Sequence, residues 1–264
     1  MNKLQKLKSI LKKMGSVLVA YSGGTDSTFL LKAARDVLGD KVLAVTADSA
    51  TYPAQELAFA KKMARKLRVR HKIIRTRELQ DKRFTANPAN RCYFCKHELF
   101  GRLKDIARRD KINFVADASN ISDLKDFRPG SMAKKELKVR SPLEEAGFTK
   151  GDIRRFSKIL RLPTAEKPSL ACLASRIPYG MRISLRILSR IHQAETFLKK
   201  IGFETVRLRH YNGLGRIEVS KEAIPRLINK RAEVVRALKR IGYDYVTIDL
   251  EGYRTGSMNE VFKK

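Results

Sequence analysis

Apolar and polar positions alternate along the first half of the chain in two rhythms. Val17 to Tyr21 is a short β-branched apolar run, which predicts a buried strand. Residues 26–38 then carry apolar side chains at helical spacing, and Gly39 stops them. The pairing recurs. Residues 41–47 predict a second strand, 53–68 a helix opened by Pro53, 70–75 a third strand, 100–109 a helix and 112–117 a fourth strand. Strands alternating with helices imply a parallel sheet covered on both faces, with ligands at the carboxyl ends of its strands. Ahead of this lies a basic segment, residues 1–14, with Leu4, Leu7, Leu11 and Met14 at helical spacing. It lacks a continuous apolar core and reads as a helix, not a leader.

The rhythm breaks between residues 121 and 180, where Pro129-Gly130, Pro142, Pro163, Pro168 and Pro178-Tyr-Gly180 punctuate a loop-rich stretch containing one short helix at 151–160. Beyond it the pattern changes: a helix over 185–201, strands over 204–209 and 215–219 about a glycine turn, a helix over 224–241 and a last strand over 243–250. The expected architecture is an α/β parallel-sheet domain over residues 1–180 and a smaller α+β C-terminal domain over 181–264.

Net charge changes the picture more than overall composition does. With 57 Lys and Arg against 27 Asp and Glu, the chain carries +30, a field that attracts RNA, anionic surfaces or polyanionic small molecules. The basic residues are spread along the chain, not gathered in a tail. A 43% hydrophobic content is that of a globular protein. No apolar run approaches the ~20 residues needed to span a bilayer, so a cytoplasmic protein without membrane contact is expected. Three cysteines do not suit a disulfide framework.

Between the first strand and its helix lies Ser22-Gly23-Gly24-Thr25-Asp26-Ser27. Paired glycines bring bare N–H groups close to a ligand, helix-terminal amides aimed at the same spot favour an anion, and the hydroxyls of Ser22, Thr25 and Ser27 offer neutral donors. These features make a phosphate cradle. No Gly-Lys-Ser/Thr closes it, so it is not a Walker A loop. It resembles instead the PP-loop of the ATP pyrophosphatases, which cut ATP between the α- and β-phosphates and adenylate a substrate oxygen. Asp26 beside phosphates calls for a bridging Mg²⁺. Asp48-Ser49, at the end of the second strand, reads either as a polar turn or as the holder of the adenosine.

The cysteines are placed as Cys92-x-x-Cys95, flanked by Arg91 and Lys96, with Cys172 far along the chain. Two close thiols and a distant one suit an iron–sulfur cluster held at three irons, or a zinc with an open position. A thiol–disulfide pair and three unconnected core cysteines are the other readings.

Seven blocks in order carry a wider resemblance: Ser-Gly-Gly-Thr-Asp-Ser27, Asn90-Arg-Cys-Tyr-Phe-Cys-Lys96, Asp126-Phe-Arg-Pro-Gly130, Ser141-Pro-Leu-x-Glu145, Lys167-Pro-Ser-x-x-Cys-Leu-x-Ser-Arg-Ile-Pro-Tyr-Gly180, Arg216-Ile-Glu-Val219 and Gly252-Tyr-Arg-Thr-Gly-Ser-Met-Asn-Glu260. Over residues 17–264 the chain resembles the LarE-type ATP-dependent sulfur transferases. That resemblance implies a homo-oligomeric enzyme acting on a small nucleotide. It adenylates a carboxylate of a pyridinium-dicarboxylate mononucleotide and replaces an oxygen by sulfur, on the way to a nickel-pincer nucleotide cofactor. Members with only the later cysteine give up its own sulfur; those with the Cys-x-x-Cys as well use a [4Fe-4S] cluster whose open iron carries a sulfide. Cys92, Cys95 and Cys172 place this chain with the cluster type. The resemblance also implies ATP and Mg²⁺ at Ser22, Gly23, Gly24, Thr25, Asp26 and Ser27. Arg128, Ser175 and Arg176 would steady substrate phosphate or developing charge, Arg207 and Arg254 would clamp phosphate, and Glu195 and Glu218 would hold a metal.

Two departures bear on substrate contacts: Ala118 and Ser122 within Asp117-Ala-Ser-Asn-Ile-Ser-Asp123 replace a glycine and a carboxylate, and Ala165-Glu166 stands where a tryptophan is common. The rival readings are a tRNA-thiolating PP-loop enzyme, to which the +30 charge lends weight, and an RNA-binding module with a degenerate ATP site. The intact loop and cysteines speak against the second.

Overall fold

The computed structural model describes residues 2–125, 129–168 and 171–262. The chain divides into two compact units, one of Met1–Phe84 with Asn90–Leu170 and one of Thr85–Ala89 with Ala171–Lys264. The division falls before residue 180 because residues 171–183 are sewn to the short 85–89 segment. The buried Asn87 amide donates to the carbonyls of Ile177, Pro178 and Met181 at 3.3, 2.7 and 3.0 Å. Gly180 N–H donates to Asn87 O, and Ile183 N–H to Thr85 O.

The first unit runs α1 (Lys3–Met14), β1 (Val17–Ala20), α2 (Thr25–Leu38), β2 (Val42–Asp48), α3 (Ala54–Lys66), β3 (Arg70–Arg75), the single turn α4 (Lys82–Thr85), α5 (Arg91–Arg109), β4 (Phe114–Ala116), α6 (Gly130–Glu136), α7 (Pro142–Glu145) and α8 (Lys150–Ile159). Its four strands are all parallel in the order β3-β2-β1-β4. Strand side chains alternate between faces, and both faces are buried here. Val17, Val19, Val42 and Ala44 join the core that α1, α2, α3 and α8 cover. Leu18, Leu43 and Val45 join Phe100, Leu103 and Ile106 of α5 on the opposite face. Two-sided burial is why β1 and β2 read as continuous apolar runs. Strand β3 lies at the edge and exposes Arg70, Lys72 and Arg75, charges that discourage another strand from pairing there.

The expected strands and helices are present, with shifted ends. Helix α5 starts at Arg91, not at 100, and so takes Cys92 and Cys95 into its first turns. The stretch expected to be loops holds α6 and α7 in addition to α8.

In the second unit α9 (Leu185–Lys200) precedes β5 (Val206–Tyr211) and β6 (Leu214–Val219), which pair antiparallel about Asn212-Gly213. Asn-Gly suits the positive φ that such a two-residue turn requires, and Asn212 has φ +53°. The expected helix over 224–241 is two, α10 (Ile224–Asn229) and α11 (Arg231–Ile241), parted at Lys230. They lead to β7 (Tyr245–Ile248), parallel to β6. Leu198, Phe203, Leu208, Ile217, Val234 and Leu238 form a separate core. The result is an α/β parallel-sheet unit with a smaller unit built on a three-stranded sheet. Among the described residues no helix is long and apolar enough to cross a membrane.

Candidate active site

Strand β1 runs out at Ala20, and the chain turns through Ser22-Gly23-Gly24 into α2. Gly23 has φ +72°, and a Cβ there would lie 3.0 Å from the Ala60 Cβ of α3. Backbone conformation and close packing both demand glycine. Gly24 caps α2 without a side-chain hydrogen bond, which leaves the first amides of a 14-residue helix for a ligand. Within the loop, Ser22 Oγ and Ser27 Oγ are 3.0 Å apart, and Ser22 Oγ accepts from Gly24 N–H. Thr25 departs from the expected role of its hydroxyl as a phosphate donor. That hydroxyl is buried and donates to the Thr164 carbonyl at 2.8 Å, tying α2 to the 164–167 segment. Lys167 grips the loop from the other side, donating to Gly23 O at 3.2 Å and Glu56 at 2.7 Å, above the Phe59 ring.

The cradle opens on a cavity of about 420 Å³ whose wall includes Gly24, Asp26 and Ser27 with Lys96, Lys150 and Lys167. The Lys150 ammonium spans both Asp26 carboxylate oxygens, at 2.6 and 2.7 Å. Beside it a recess of about 100 Å³ opens between the carboxyl ends of β1 and β2, lined by Val45, Asp48, Ser49, Tyr52 and Leu57. Its partly apolar wall suits a flat heterocycle. The Ser49 hydroxyl already donates to the buried Glu78 carboxylate and lies 2.6 Å from Thr51 Oγ1. At the floor of the loop, Thr46 Oγ1 donates to Tyr21 O and lies 2.8 Å from His71 Nε2. Since the Thr46 proton goes to Tyr21, His71 must donate through Nε2. Burial, and then the charge of Lys61, hold the His71 pKa below its ordinary value.

Of the Cys-x-x-Cys-Lys segment, Lys96 reaches this cavity. Cys92 and Cys95 are three residues apart on α5 and so share a helix face. Gly130 of α6 packs against this turn, where a Cβ would approach Lys96 Cγ to 2.9 Å and Cys92 O to 3.4 Å. Arg128 lies outside the described residues.

The second unit carries Cys172 at the head of a 3-10 turn, Leu173–Arg176. Arg176 is 1% exposed. One of its nitrogens donates to the Ala171 and Cys172 carbonyls at 2.7 and 2.9 Å, and the others bind Glu195 at 2.9 and 3.1 Å. The Ser175 hydroxyl also donates to Cys172 O. Ser175 and Arg176 therefore shape the backbone of the cysteine turn. Arg209 makes a matching fork to Glu218, at 2.9 and 2.6 Å, and donates to Ser175 O. Arg207, two residues before it on β5, lies over the Tyr253 ring and donates to its neighbour's carbonyl at Val206. Burial, and then the nearby Arg176 charge, push its pKa down, an environment that an anion would relieve. Arg254 is held by Glu260, Asp249 and Glu251, and its pKa is raised, chiefly by the hydrogen bond to Glu260.

Glu195 and Glu218 thus each neutralise a buried arginine. Among the described residues no three or more His, Cys, Asp or Glu side chains gather as a metal-holding group. The residues that sequence reading missed are Lys150 and Arg209. For Lys150 no sequence signal exists, because it acts on a residue 124 positions away. For Arg209 the signal was the period-two repeat of Arg207 and Arg209 on a strand.

Strand, glycine loop, helix and cavity define a nucleotide-handling domain of the PP-loop class. The family model of the queuosine biosynthesis protein QueC matches residues 16–90, the span that contains the cradle. Full-length relatives narrow this further. A pyridinium-3,5-bisthiocarboxylic acid mononucleotide synthase of Lactiplantibacillus plantarum is 36% identical over 98% of this chain and 94% of its own. Uncharacterised proteins of Synechocystis and Methanocaldococcus jannaschii are 41% and 30% identical, again over nearly the whole of both chains. The chain belongs to the LarE-type family, the sulfurtransferases that use ATP.

Proposed function

We propose that the protein activates a carboxylate of pyridinium-3,5-dicarboxylate mononucleotide with ATP and exchanges an oxygen of that carboxylate for sulfur. The observation that carries this reading is the shared wall of the first unit's cavity. The Ser22–Ser27 cradle, Asp26 and the lysine that follows the Cys-x-x-Cys, Lys96, face one space. A carboxylate oxygen is a poor leaving group. Attack of that oxygen on the α-phosphorus turns it into AMP, and pyrophosphate departs with the electrons of the broken P–O bond. The loop and α2 amides bind phosphate oxygens, Asp26 would hold the Mg²⁺ that neutralises them, and the recess by Asp48, Ser49 and Tyr52 takes the adenosine.

In the second unit Arg207 supplies the cation for the substrate's phosphate, while Arg176 and Ser175 set the course of the chain at Cys172. The thiols of Cys92, Cys95 and Cys172, which form no disulfide, are soft ligands of the type that would hold a [4Fe-4S] cluster. Bound there, the cluster would supply a replaceable sulfide. The test is anaerobic incubation with ATP, Mg²⁺ and the mononucleotide. AMP, pyrophosphate and a thiocarboxylate product, all independent of added RNA, support the reading. Pyrophosphate release that requires RNA instead supports the tRNA-thiolating alternative.

A further inference from the structure

Among the described residues three lysines reach the cavity, and they are not equivalent. Lys167 is occupied by the Gly23 carbonyl, Glu56 and the Phe59 ring. Lys96 lies over Phe100. Lys150 differs: among the described residues, its ammonium's hydrogen bonds both go to Asp26, the acid of the phosphate cradle. Two helices meet in that contact. Asp26 is in the first turn of α2, and Lys150 is the first residue of α8.

The position of Lys150 is fixed from behind. Thr149 caps α8 through a reciprocal pair with Asp152, whose carboxylate is bound in turn by Lys3 of α1 at 2.6 Å. The Lys150 backbone N–H donates to Ser122 Oγ at 3.1 Å, and Ser122 is itself on the cavity wall. The lysine is only part-exposed, at 30% of its side chain.

An ammonium has three N–H donors, and the carboxylate uses two. A carboxylate facing a nucleotide phosphate needs positive charge between the two. We infer that Lys150 is a further catalytic residue: it is the counter-ion of Asp26 before nucleotide binds, and it contacts the β- and γ-phosphates once ATP and Mg²⁺ are in place. This rests on the ATP-cleaving reading above. In that step the carboxylate oxygen bonds to the α-phosphorus, the bond from that phosphorus to the α–β bridging oxygen breaks, and the bridging oxygen leaves with the electron pair as part of pyrophosphate. No proton is transferred. Lys150 neutralises the charge that gathers on the departing group, through the N–H that the Asp26 carboxylate leaves unused.

The assignment separates pyrophosphate from the rest of the nucleotide, and this makes it testable by binding alone. Calorimetric titration with ATP, pyrophosphate and AMP, each with Mg²⁺, would compare the wild type with Lys150→Met and Lys150→Arg. A charge-assisted contact of this kind predicts that Lys150→Met weakens pyrophosphate and ATP about 10- to 100-fold and leaves AMP unchanged. Lys150→Arg, which keeps the cation, should retain pyrophosphate binding. The rate of pyrophosphate release under saturating ATP should fall in Lys150→Met. Unchanged pyrophosphate affinity in Lys150→Met, or an equal loss for AMP, overturns the role given to Lys150. A wild type that binds none of the three ligands overturns the ATP reading itself, and the assignment with it.

Discussion

Arg176 and Glu195 form a two-pronged ion pair, 1% and 6% exposed at their side chains, and the same guanidinium carries the carbonyls of Ala171 and Cys172. One buried cation thus joins α9 to the turn that presents a candidate catalytic thiol. Breaking such a pair by removing one partner leaves the other charged and dry, at a cost of about 3–5 kcal/mol. Glu195→Ala should therefore lower the unfolding free energy read from urea denaturation by that order, well beyond an average substitution. Arg176→Lys should also disturb reactivity at Cys172, because a lysine cannot reproduce the fork; thiol-alkylation rates would read this directly.

Gly23 faces two demands at once, a left-handed backbone and a contact with Ala60. Alanine there costs about 1–2 kcal/mol for conformation alone, before α3 is pushed away. Gly23→Ala is expected to lose at least about tenfold in ATP affinity while the far-ultraviolet circular dichroism stays the same. Relief of the steric part should come from the paired change Ala60→Gly, which restores binding only partly because the backbone strain persists.

His71 links pH to the stability of the cradle. Its folded pKa lies below the ordinary value of 6.5, so in the window between the two the unfolded chain binds more protons than the folded one. Stability is then fully present above pH 6.5 and falls as pH drops towards the folded pKa. His210 in the second unit is shifted the same way by burial, and then by Arg190. Thermal midpoints should fall between pH 7 and 5, and the slope should flatten in His71→Gln, which keeps a donor for Thr46. A slope untouched by both His71→Gln and His210→Gln would place its origin in other groups.

Anaerobically purified protein should contain about four irons per chain, with matching acid-labile sulfide. Cys92→Ala, Cys95→Ala and Cys172→Ala should each lose them, and chelation of iron should abolish sulfur insertion while leaving substrate-dependent pyrophosphate release. Absence of iron in the wild type, with Cys172 losing its own sulfur after turnover, would point to the sacrificial route.

How far the sequence discloses these features depends on how local each is. The cradle was legible because its glycines, strand and helix are adjacent in the chain, and the two-sided apolar runs of β1 and β2 announced a covered parallel sheet. The start of α5 was not. Residues 91–99 contain four charged or imidazole side chains, Arg91, Lys96, His97 and Glu98, and the cysteines drew attention as ligands instead of helix residues. The break at Lys230 had no glycine to mark it. Tertiary partners were invisible: the Thr25 hydroxyl finds its acceptor 139 residues away, and Glu195, read as a candidate metal ligand, meets Arg176 on a different element. Burial turns such groups from surface charges into internal ion pairs, and periodicity carries no record of it.

The central claim is that a substrate carboxylate is adenylated before sulfur enters. Single turnover with mononucleotide labelled by heavy oxygen in its carboxylates tests this directly. The account predicts that the heavy oxygen appears in AMP as thiocarboxylate forms, one label transferred for each sulfur gained. ADP and phosphate as products, or AMP free of label, would contradict it.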